Sequence, residues 1–280
     1  MANATLREIE SLAMASGSDW MYSRLFLPRD QQPAFNAMLA LRTEVGAQVA
    51  RVSEPAVAEA KLEWWRAEIQ RVAEGRGVHP LASGIVTTCT AHGIAVEYLL
   101  ELVDAIDMRM LPGRLLSAAD EKLFRYRHDG VLAEQASLLA GHDSRQELEL
   151  ARALGELRSH VDALRTLARQ LAQGNPLFAD ASLDAAAVDR HAPTSEQLER
   201  FLTVQWQRWD HLRVAARTLL QETNPAAALA VQWALLEDDY RRMQRQRDQL
   251  PNREPRLAGP LRRLFIAWRA ARRSRRRARR

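Results

Sequence analysis

The stretch Phe35-Asn-Ala-Met-Leu-Ala-Leu-Arg-Thr-Glu-Val-Gly-Ala-Gln-Val-Ala50 carries small and aliphatic side chains at helical spacing, and Lys61-Leu-Glu-Trp-Trp-Arg66 follows it. The same spacing of three and four residues recurs from Leu148 to Leu171 and from Leu198 to Leu219. No window shows the alternation of apolar and polar residues, with a period of two, that is typical of half-buried strands. The pattern therefore predicts an all-α protein.

Capping residues and helix breakers divide this pattern into helices. Residues that favour helix N-termini precede three of the periodic segments, namely Asp30, Asp143 or Ser144, and Thr194 or Ser195. Breaks fall at glycines and prolines, including Gly75, Gly141 and the segment 251–260, but none is long enough to link two domains. We expect one helical domain over residues 1–260, followed by a basic amphipathic segment over residues 261–280.

The charge of the chain is concentrated at its C-terminal end. The formal net charge of +5 is made up of +10 from residues 262–280, +4 from residues 241–261 and −9 from residues 1–240. The body of the protein is therefore acidic, and the basic character belongs to one segment.

Composition indicates a soluble protein of a reducing compartment. Cys89 is the single cysteine, so an intrachain disulfide is excluded. The N-terminus lacks the basic and apolar regions of a secretion signal, and the longest weakly polar run is too short and too polar to span a bilayer. We expect a cytoplasmic protein with a peripheral position on the inner face of the membrane.

The C-terminal segment predicts an amphipathic helix. Leu261, Leu264, Phe265 and Trp268 fall at i, i+3, i+4 and i+7, and arginines occupy most of the remaining positions. Either this apolar stripe lies on an anionic membrane or it docks on the core of the protein; we expect docking, with the arginines free to contact lipid. Deletion from residue 269 onwards is expected to preserve the fold, because Trp268 is the last large apolar residue.

The arginines expected to contact the membrane are Arg269, Arg272, Arg273, Arg275, Arg276 and Arg277. RNA is a further partner class for such a segment, through contacts with phosphates. The segment lacks the interleaved aromatic residues on which bases stack, so nucleic acid is the weaker alternative.

The two stretches quoted first resemble the squalene/phytoene synthase family. In that family a helix reading roughly A-L-Y-A-F-C-R-x-x-D-D-x-x-D holds magnesium against a prenyl diphosphate, and an L-x-W-W-R-type helix follows it. Alignment on residues 37–41 places Gly46, Ala47 and Ala50 at the acidic positions. The resemblance implies a single-domain, isoprenoid synthase-like helical bundle around a central cavity.

The central segment resembles the second active-site helix of the family, G-x-A-x-Q-L-x-N-I-L-R-D-x-x-x-D. Arg165 keeps the arginine of this motif, but Thr166 and Gln170 replace its two aspartates. The resemblance implies that Gly46 and Thr166 face each other across the cavity. Magnesium requires carboxylate oxygens, which none of the five degenerate positions supplies.

The family includes a non-catalytic branch, the mitochondrial complex I assembly factor and its bacterial relatives. The stretches Arg42-Thr43-Glu44-Val45 and Val52-Ser53-Glu54-Pro55 resemble that branch more than the synthases. We therefore expect a catalytically inactive protein without a metal or other cofactor. Its expected role is that of a peripheral-membrane factor that binds an isoprenoid or lipid, or assists assembly of a client protein complex.

Two further alternatives follow from the resemblance. A divergent prenyl transferase would bind magnesium through Glu44, Asp162 or the pair Asp180 and Asp184. A residual isoprenoid-binding cavity would be lined by six candidates, Phe26, Leu41, Val45, Trp64, Trp65 and Arg165. For the two tryptophans we favour the simpler interpretation that they anchor the core of an amphipathic helix.

Overall fold

The computed structural model describes residues 2–15, 18–110, 113–173, 177–189 and 193–277, and within these ranges it contains helices and turns but no strand. The prediction of an all-α protein is confirmed. The helices are α1 (Ala2–Ala15), α2 (Trp20–Arg24), α3 (Gln32–Ala50), α4 (Pro55–Ala73), α5 (Pro80–Ala91), α6 (Val96–Met110), α7 (Ala118–Arg125), α8 (Val131–Leu138), α9 (Arg145–Arg165), α10 (Leu167–Ala172), α11 (Asp180–Ala185), α12 (Ser195–Glu222), α13 (Ala227–Gln244) and α14 (Pro260–Arg277). A π-helical turn, Tyr126–Gly130, joins α7 to α8, and a 3₁₀ turn, Arg247–Gln249, follows α13.

The ends of several helices follow from local sequence. Ser144 caps α9 and Thr194 caps α12, and each hydroxyl accepts a hydrogen bond from the backbone N–H three residues later within a reciprocal capping box. Gly75 and Gly141, just beyond α4 and α8, have φ angles of +75° and +79°, which glycine adopts without a steric penalty. Proline in the first turn starts α3 close to the predicted position after Asp30.

Helices α3 and α9 form the centre of the bundle. Every residue from 34 to 41 is buried, so the first half of α3 is enclosed on all sides by α1, α5 and α6. Helix α9 packs against α8, α12 and α13. The apolar core packs against the outer sides of α3 and α9. Polar residues of the same two helices line a cavity, which is described below.

Helix α14 packs against α13 and α2 through a face of mostly small side chains. Ala267, Ala271 and Ser274 are buried on this face, and the Ser274 hydroxyl donates to the carbonyl oxygen of Pro225 at 2.9 Å. The prediction that the stripe of large apolar residues docks on the core is wrong, because small residues allow the two helices to approach more closely. The stripe lies on the opposite face.

A buried network of charges fixes α14 to the bundle. Arg263 of α14 donates to Asp239 of α13 at 2.7 Å and also pairs with Asp19, the residue before α2. Arg158 of α9 donates to the same two carboxylates, at 2.6 Å to Asp19 and 3.3 Å to Asp239. Arg158 also donates to Asp162 at 2.7 Å. Four segments that are distant in sequence are therefore joined by one set of ion pairs.

The expectation that the fold tolerates deletion from residue 269 is revised by this packing. A chain that ends at Trp268 loses the buried Ala271 and the hydrogen bond of Ser274. We expect a loss of roughly 2 kcal/mol in the free energy of unfolding, since one hydrogen bond and one buried methyl group contribute about 1 kcal/mol each. Thermal denaturation of this chain and of a chain ending at Arg276, which keeps both residues, tests the expectation. Equal melting temperatures would contradict it.

Candidate functional site

A cavity lies between α3 and α9, at the place where the family resemblance implied it. Its volume is about 580 Å³. The structure brings all five degenerate motif positions to its wall, which includes Gly46, Ala47, Ala50, Thr166 and Gln170. Gly46 and Thr166 thus line the same cavity from opposite helices.

The polar side chains at two of these positions are bonded to the protein itself. The Thr166 hydroxyl donates to the carbonyl oxygen of Asp162 at 2.7 Å, and the Gln170 amide donates to that of Ala163 at 2.8 Å. The Gln170 side-chain oxygen accepts the N–H of Leu177 at 2.7 Å. These bonds stabilise the junction between α9 and α10, where the sequence motif of the family has metal ligands.

Asp162 is the one carboxylate among the described residues that line the cavity. It accepts hydrogen bonds from Arg158 at 2.7 Å and lies 3.2 Å from the Arg165 guanidinium. Burial opposes ionisation of Asp162, but the two cations outweigh it and hold its pKa below the ordinary value. This carboxylate is therefore an ion-pair partner.

The donor set does not fit magnesium. The ion takes octahedral oxygen ligands and is held in proteins by carboxylates, usually more than one. Within the described residues no three histidine, cysteine, aspartate or glutamate side chains converge on a point. Glycine, alanine, threonine and glutamine stand at the five motif positions, and the remaining Asp162 is engaged by arginines.

The wall of the cavity is instead rich in arginine. Arg42 of α3, Arg109 of α6, Arg165 of α9 and Arg169 of α10 all line it. Arg42 donates to the carbonyl oxygen of His128 and lies 3.2 Å from the Asp129 carboxylate. The lining residues thus comprise four guanidinium groups and one carboxylate, which makes the wall cationic.

The π-helical turn contributes a pair that sequence reasoning missed. His128 lines the cavity, its Nδ1 lies 2.8 Å from the Asp129 carboxylate, and its Nε2 lies 3.3 Å from Arg109. Trp20 donates its indole N–H to Asp129 at 2.8 Å. Burial lowers the pKa of His128 despite its neighbour Asp129. A neutral ring that donates from Nδ1 and accepts at Nε2 agrees with these contacts. The sequence signal for this pair was the dipeptide His128-Asp129, which lies just before the apolar helix α8.

Most of the predicted ligand-cavity residues do not line the cavity. Leu41, Val45 and Trp65 are fully buried in the apolar core. The burial of Trp65 agrees with the simpler interpretation that it anchors the core. Val45 is fully buried and does not line the cavity, although the next residue, Gly46, does. Phe26 packs against the small cluster between α13 and α14.

Trp64 lies outside the core and outside the wall of the cavity between α3 and α9. It is 39% exposed and contacts the rings of Trp65 and His79 at the surface. Of the six candidates, Arg165 alone lines the cavity between α3 and α9.

The carboxylates proposed for a divergent enzyme do not converge. Glu44 accepts from Gln48 at 2.7 Å on α3 and is not part of the cavity wall. Asp180 and Asp184 belong to α11 and also lie outside the wall, which leaves Asp162 alone in it.

The outer face of α14 exposes the apolar stripe. Leu261, Leu264, Phe265 and Trp268 are 84%, 43%, 57% and 47% exposed. The Phe265 and Trp268 rings stack with centroids 6.0 Å apart, and the Arg272 guanidinium lies 5.3 Å from the Trp268 ring centroid. The predicted membrane-contact residues Arg269, Arg272, Arg273, Arg275 and Arg276 are exposed, whereas the side chain of Arg277 lies outside the described part of the structure.

No helix in the described part of the chain combines the length and apolarity needed to cross a membrane.

The comparisons with known proteins agree on the fold. Residues 13–263 match the squalene/phytoene synthase family. No curated protein shows significant similarity to the chain. Squalene synthase HpnC from Alicyclobacillus acidocaldarius has a similar structure, with a TM-score of 0.71 at 16% identity, covering 88% of this chain and 95% of that chain. A dehydrosqualene synthase in complex with ligand gives a TM-score of 0.73 at 10% identity, with 96% of each chain covered.

At these identities the solved structures establish the fold, and the predicted isoprenoid synthase-like helical bundle is confirmed. The family match covers most of the sequence and includes both degenerate motifs. The chain belongs to the squalene/phytoene synthase family.

Proposed function

We propose that this family member has lost metal-dependent prenyl transfer and acts as a non-catalytic binding or assembly protein at a membrane surface. The observation that carries the membrane part is the outer face of α14, where Leu264, Phe265 and Trp268 are exposed among arginines. The family match ends at Arg263, so these three residues lie beyond it.

The chemistry of the α14 face favours an anionic lipid surface. An apolar stripe flanked by arginines matches a helix that inserts its aromatic rings at the boundary of headgroups and acyl chains. Each basic residue near such a surface contributes about 1 kcal/mol at low salt, and the acidic body of the chain has no comparable attraction. A soluble client complex would need a complementary apolar surface, for which the chain gives no independent signal.

The loss of catalysis is supported by the cavity wall. Prenyl transfer in this family relies on two carboxylate clusters that hold magnesium against the departing diphosphate. Thr166 and Gln170 form internal hydrogen bonds at one of these clusters, and Gly46, Ala47 and Ala50 offer no ligand atom at the other. Water can replace one missing carboxylate ligand of magnesium, but it cannot replace all the carboxylates of both clusters.

Co-sedimentation with vesicles tests the membrane part of the proposal. The full-length chain should sediment with vesicles that contain phosphatidylglycerol and remain in solution with neutral phosphatidylcholine vesicles. Salt should weaken the binding, because exposed charges are screened over about 8 Å at physiological ionic strength. Equal binding to both vesicle types would overturn the electrostatic part, and preferential retention on RNA would favour a nucleic-acid partner.

A further inference from the structure

We infer that the cavity between α3 and α9 is a metal-independent site for a phosphate-bearing ligand, held by arginine side chains. The inference rests on the proposed loss of the metal site and specifies what the same cavity binds instead. Arg42, Arg109, Arg165 and Arg169 approach it from four different helices. Guanidinium groups form bidentate hydrogen bonds with phosphate oxygens, so they supply both charge and geometry without a cation.

One side of the site is fixed before any ligand binds. Arg42 donates to the carbonyl oxygen of His128 at 3.2 Å and pairs with Asp129, which also accepts the Trp20 indole N–H at 2.8 Å. The side chains of Asp129 and Trp20 are buried, so the position of Arg42 is set by the core. A guanidinium that is already oriented loses less side-chain entropy when an anion binds.

Arg165 retains a hydrogen-bond donor for an anion, and Arg109 lies beside another cation. The Nε–H of Arg165 is buried and has no acceptor among the described residues, although its terminal nitrogen lies 3.2 Å from Asp162. Burial and the neighbouring Arg42 lower the pKa of Arg109, while Asp162 and Asp129 act in the opposite direction. A bound phosphate would accept a hydrogen bond from the Arg165 Nε–H. Its negative charge would also offset the repulsion between Arg42 and Arg109.

The carboxylates near the site do not cancel its charge at the wall. Asp129 and Glu254 pair with Arg42 and Arg169, but neither lines the cavity. Asp162 is shared with Arg158, a buried arginine behind the wall. A ligand in the cavity therefore meets guanidinium groups first, and a multiply charged anion gains more than a singly charged one.

Gly46 offers a direct test, because a Cβ atom at this position would meet no atom within 4 Å. Gly46 lines the cavity, so Gly46→Asp adds a carboxylate there and Gly46→Asn adds a neutral side chain of the same shape. Both variants leave the four arginines and the whole of α14 unchanged. A difference between them therefore reports the charge of the cavity and excludes anion binding by the C-terminal arginines.

Calorimetric titration with inorganic pyrophosphate, in the presence of a chelator and at physiological ionic strength, is the experiment. We expect saturable binding of one equivalent by the full-length chain, unchanged by added magnesium. Gly46→Asp should bind at least about tenfold more weakly than Gly46→Asn, because a like charge a few Å from the ligand has an effect of this size inside a protein. Equal affinity of the two variants, or no saturable binding by the wild type, would overturn the inference.

A second pair of variants covers the case in which a residue 46 variant fails to fold. Arg169→Gln removes an exposed arginine of the wall, and Arg145→Gln removes an exposed arginine at the start of α9, outside the wall. Only the first should weaken pyrophosphate binding. Equal effects of the two substitutions would contradict a specific site.

A parallel titration with short-chain phosphatidic acid identifies the source of the phosphate. If phosphatidic acid binds more tightly than inorganic pyrophosphate, the natural ligand is a lipid headgroup; if it binds more weakly, the ligand is a free phosphate compound. Either ranking supports the site, provided that Gly46→Asp weakens the binding. Binding that requires magnesium would overturn this inference and the proposed loss of the metal site together. Failure of α14 to bind vesicles would leave the cavity result untouched.

Discussion

Replacement of Phe265 and Trp268 together by glutamate is expected to lower the affinity for anionic vesicles roughly 100- to 1,000-fold. Full burial of such a side chain contributes roughly 1.5 to 3 kcal/mol, and about half of each ring is exposed in the protein. The two new negative charges add a repulsion of about 1 kcal/mol each near an anionic surface. Together these effects amount to about 4 kcal/mol, and each 1.4 kcal/mol is tenfold in affinity.

Val204 and Val214 of α12 provide the matched control for this experiment. Both are exposed to a similar degree, and the double substitution to glutamate introduces the same charge on a different helix. The control should keep most of the vesicle binding. Circular dichroism should show both double variants to be folded, because none of the four side chains belongs to the core. Equal losses in the two variants would contradict α14 as the contact.

Substitution of Arg158 by methionine is expected to cost about 3 to 5 kcal/mol in the free energy of unfolding at neutral pH. Removal of one partner of a buried ion pair leaves uncompensated charge, and such removals typically have effects of this size. Arg158 is fully buried and contacts the carboxylates of Asp19, Asp162 and Asp239. Urea denaturation of the variant measures the loss, with Arg145→Met on the same helix as an exposed control.

The loss caused by Arg158→Met should shrink as the pH falls towards about 5. Burial already raises the pKa of Asp19, and Arg158 is the first of the cations that lower it. Without Arg158 the folded-state pKa of this carboxyl rises further above its unfolded value, so the protonated form is favoured and stability falls as the pH rises through that pKa. In the wild type the pKa of Asp162 lies below its ordinary value, so its contribution is present at neutral pH and lost in acid. An equal deficit at both pH values would contradict this assignment.

The helix boundaries and the place of the cavity could be predicted from sequence because their signals are local. Ser144 and Thr194 begin helices through capping boxes that span four residues. The degenerate motifs located the cavity because Gly46 and Thr166 keep the positions of the family pattern. Neither result required knowledge of contacts between distant segments.

The orientation of α14 could not be predicted from hydropathy alone. Leu264, Phe265 and Trp268 give the stronger apolar signal, yet Ala267 and Ala271 form the buried face. Small side chains permit close packing of α14 on α13, and Arg263 on the same face has its acidic partners at positions 19 and 239. Partners so distant in sequence cannot be read from a local pattern.

The cationic wall of the cavity was missed for a similar reason. Arg42, Arg109 and Arg169 lie on three helices, and each occurs in a stretch that reads as an ordinary charged helix face. Five of the six predicted cavity residues are large apolar side chains, and such residues fill the core before they line a cavity. The three-dimensional arrangement was needed to show that arginines converge where the family motif has carboxylates.

The release of diphosphate tests the central claim of this account most directly. The purified full-length chain is incubated with farnesyl or geranylgeranyl diphosphate and magnesium, and free pyrophosphate is measured with and without a chelator. Because neither carboxylate cluster is present, we expect release no greater than in buffer, and no effect of the chelator. Release above this background that the chelator abolishes would show that the metal chemistry of the family is retained, and would contradict the account.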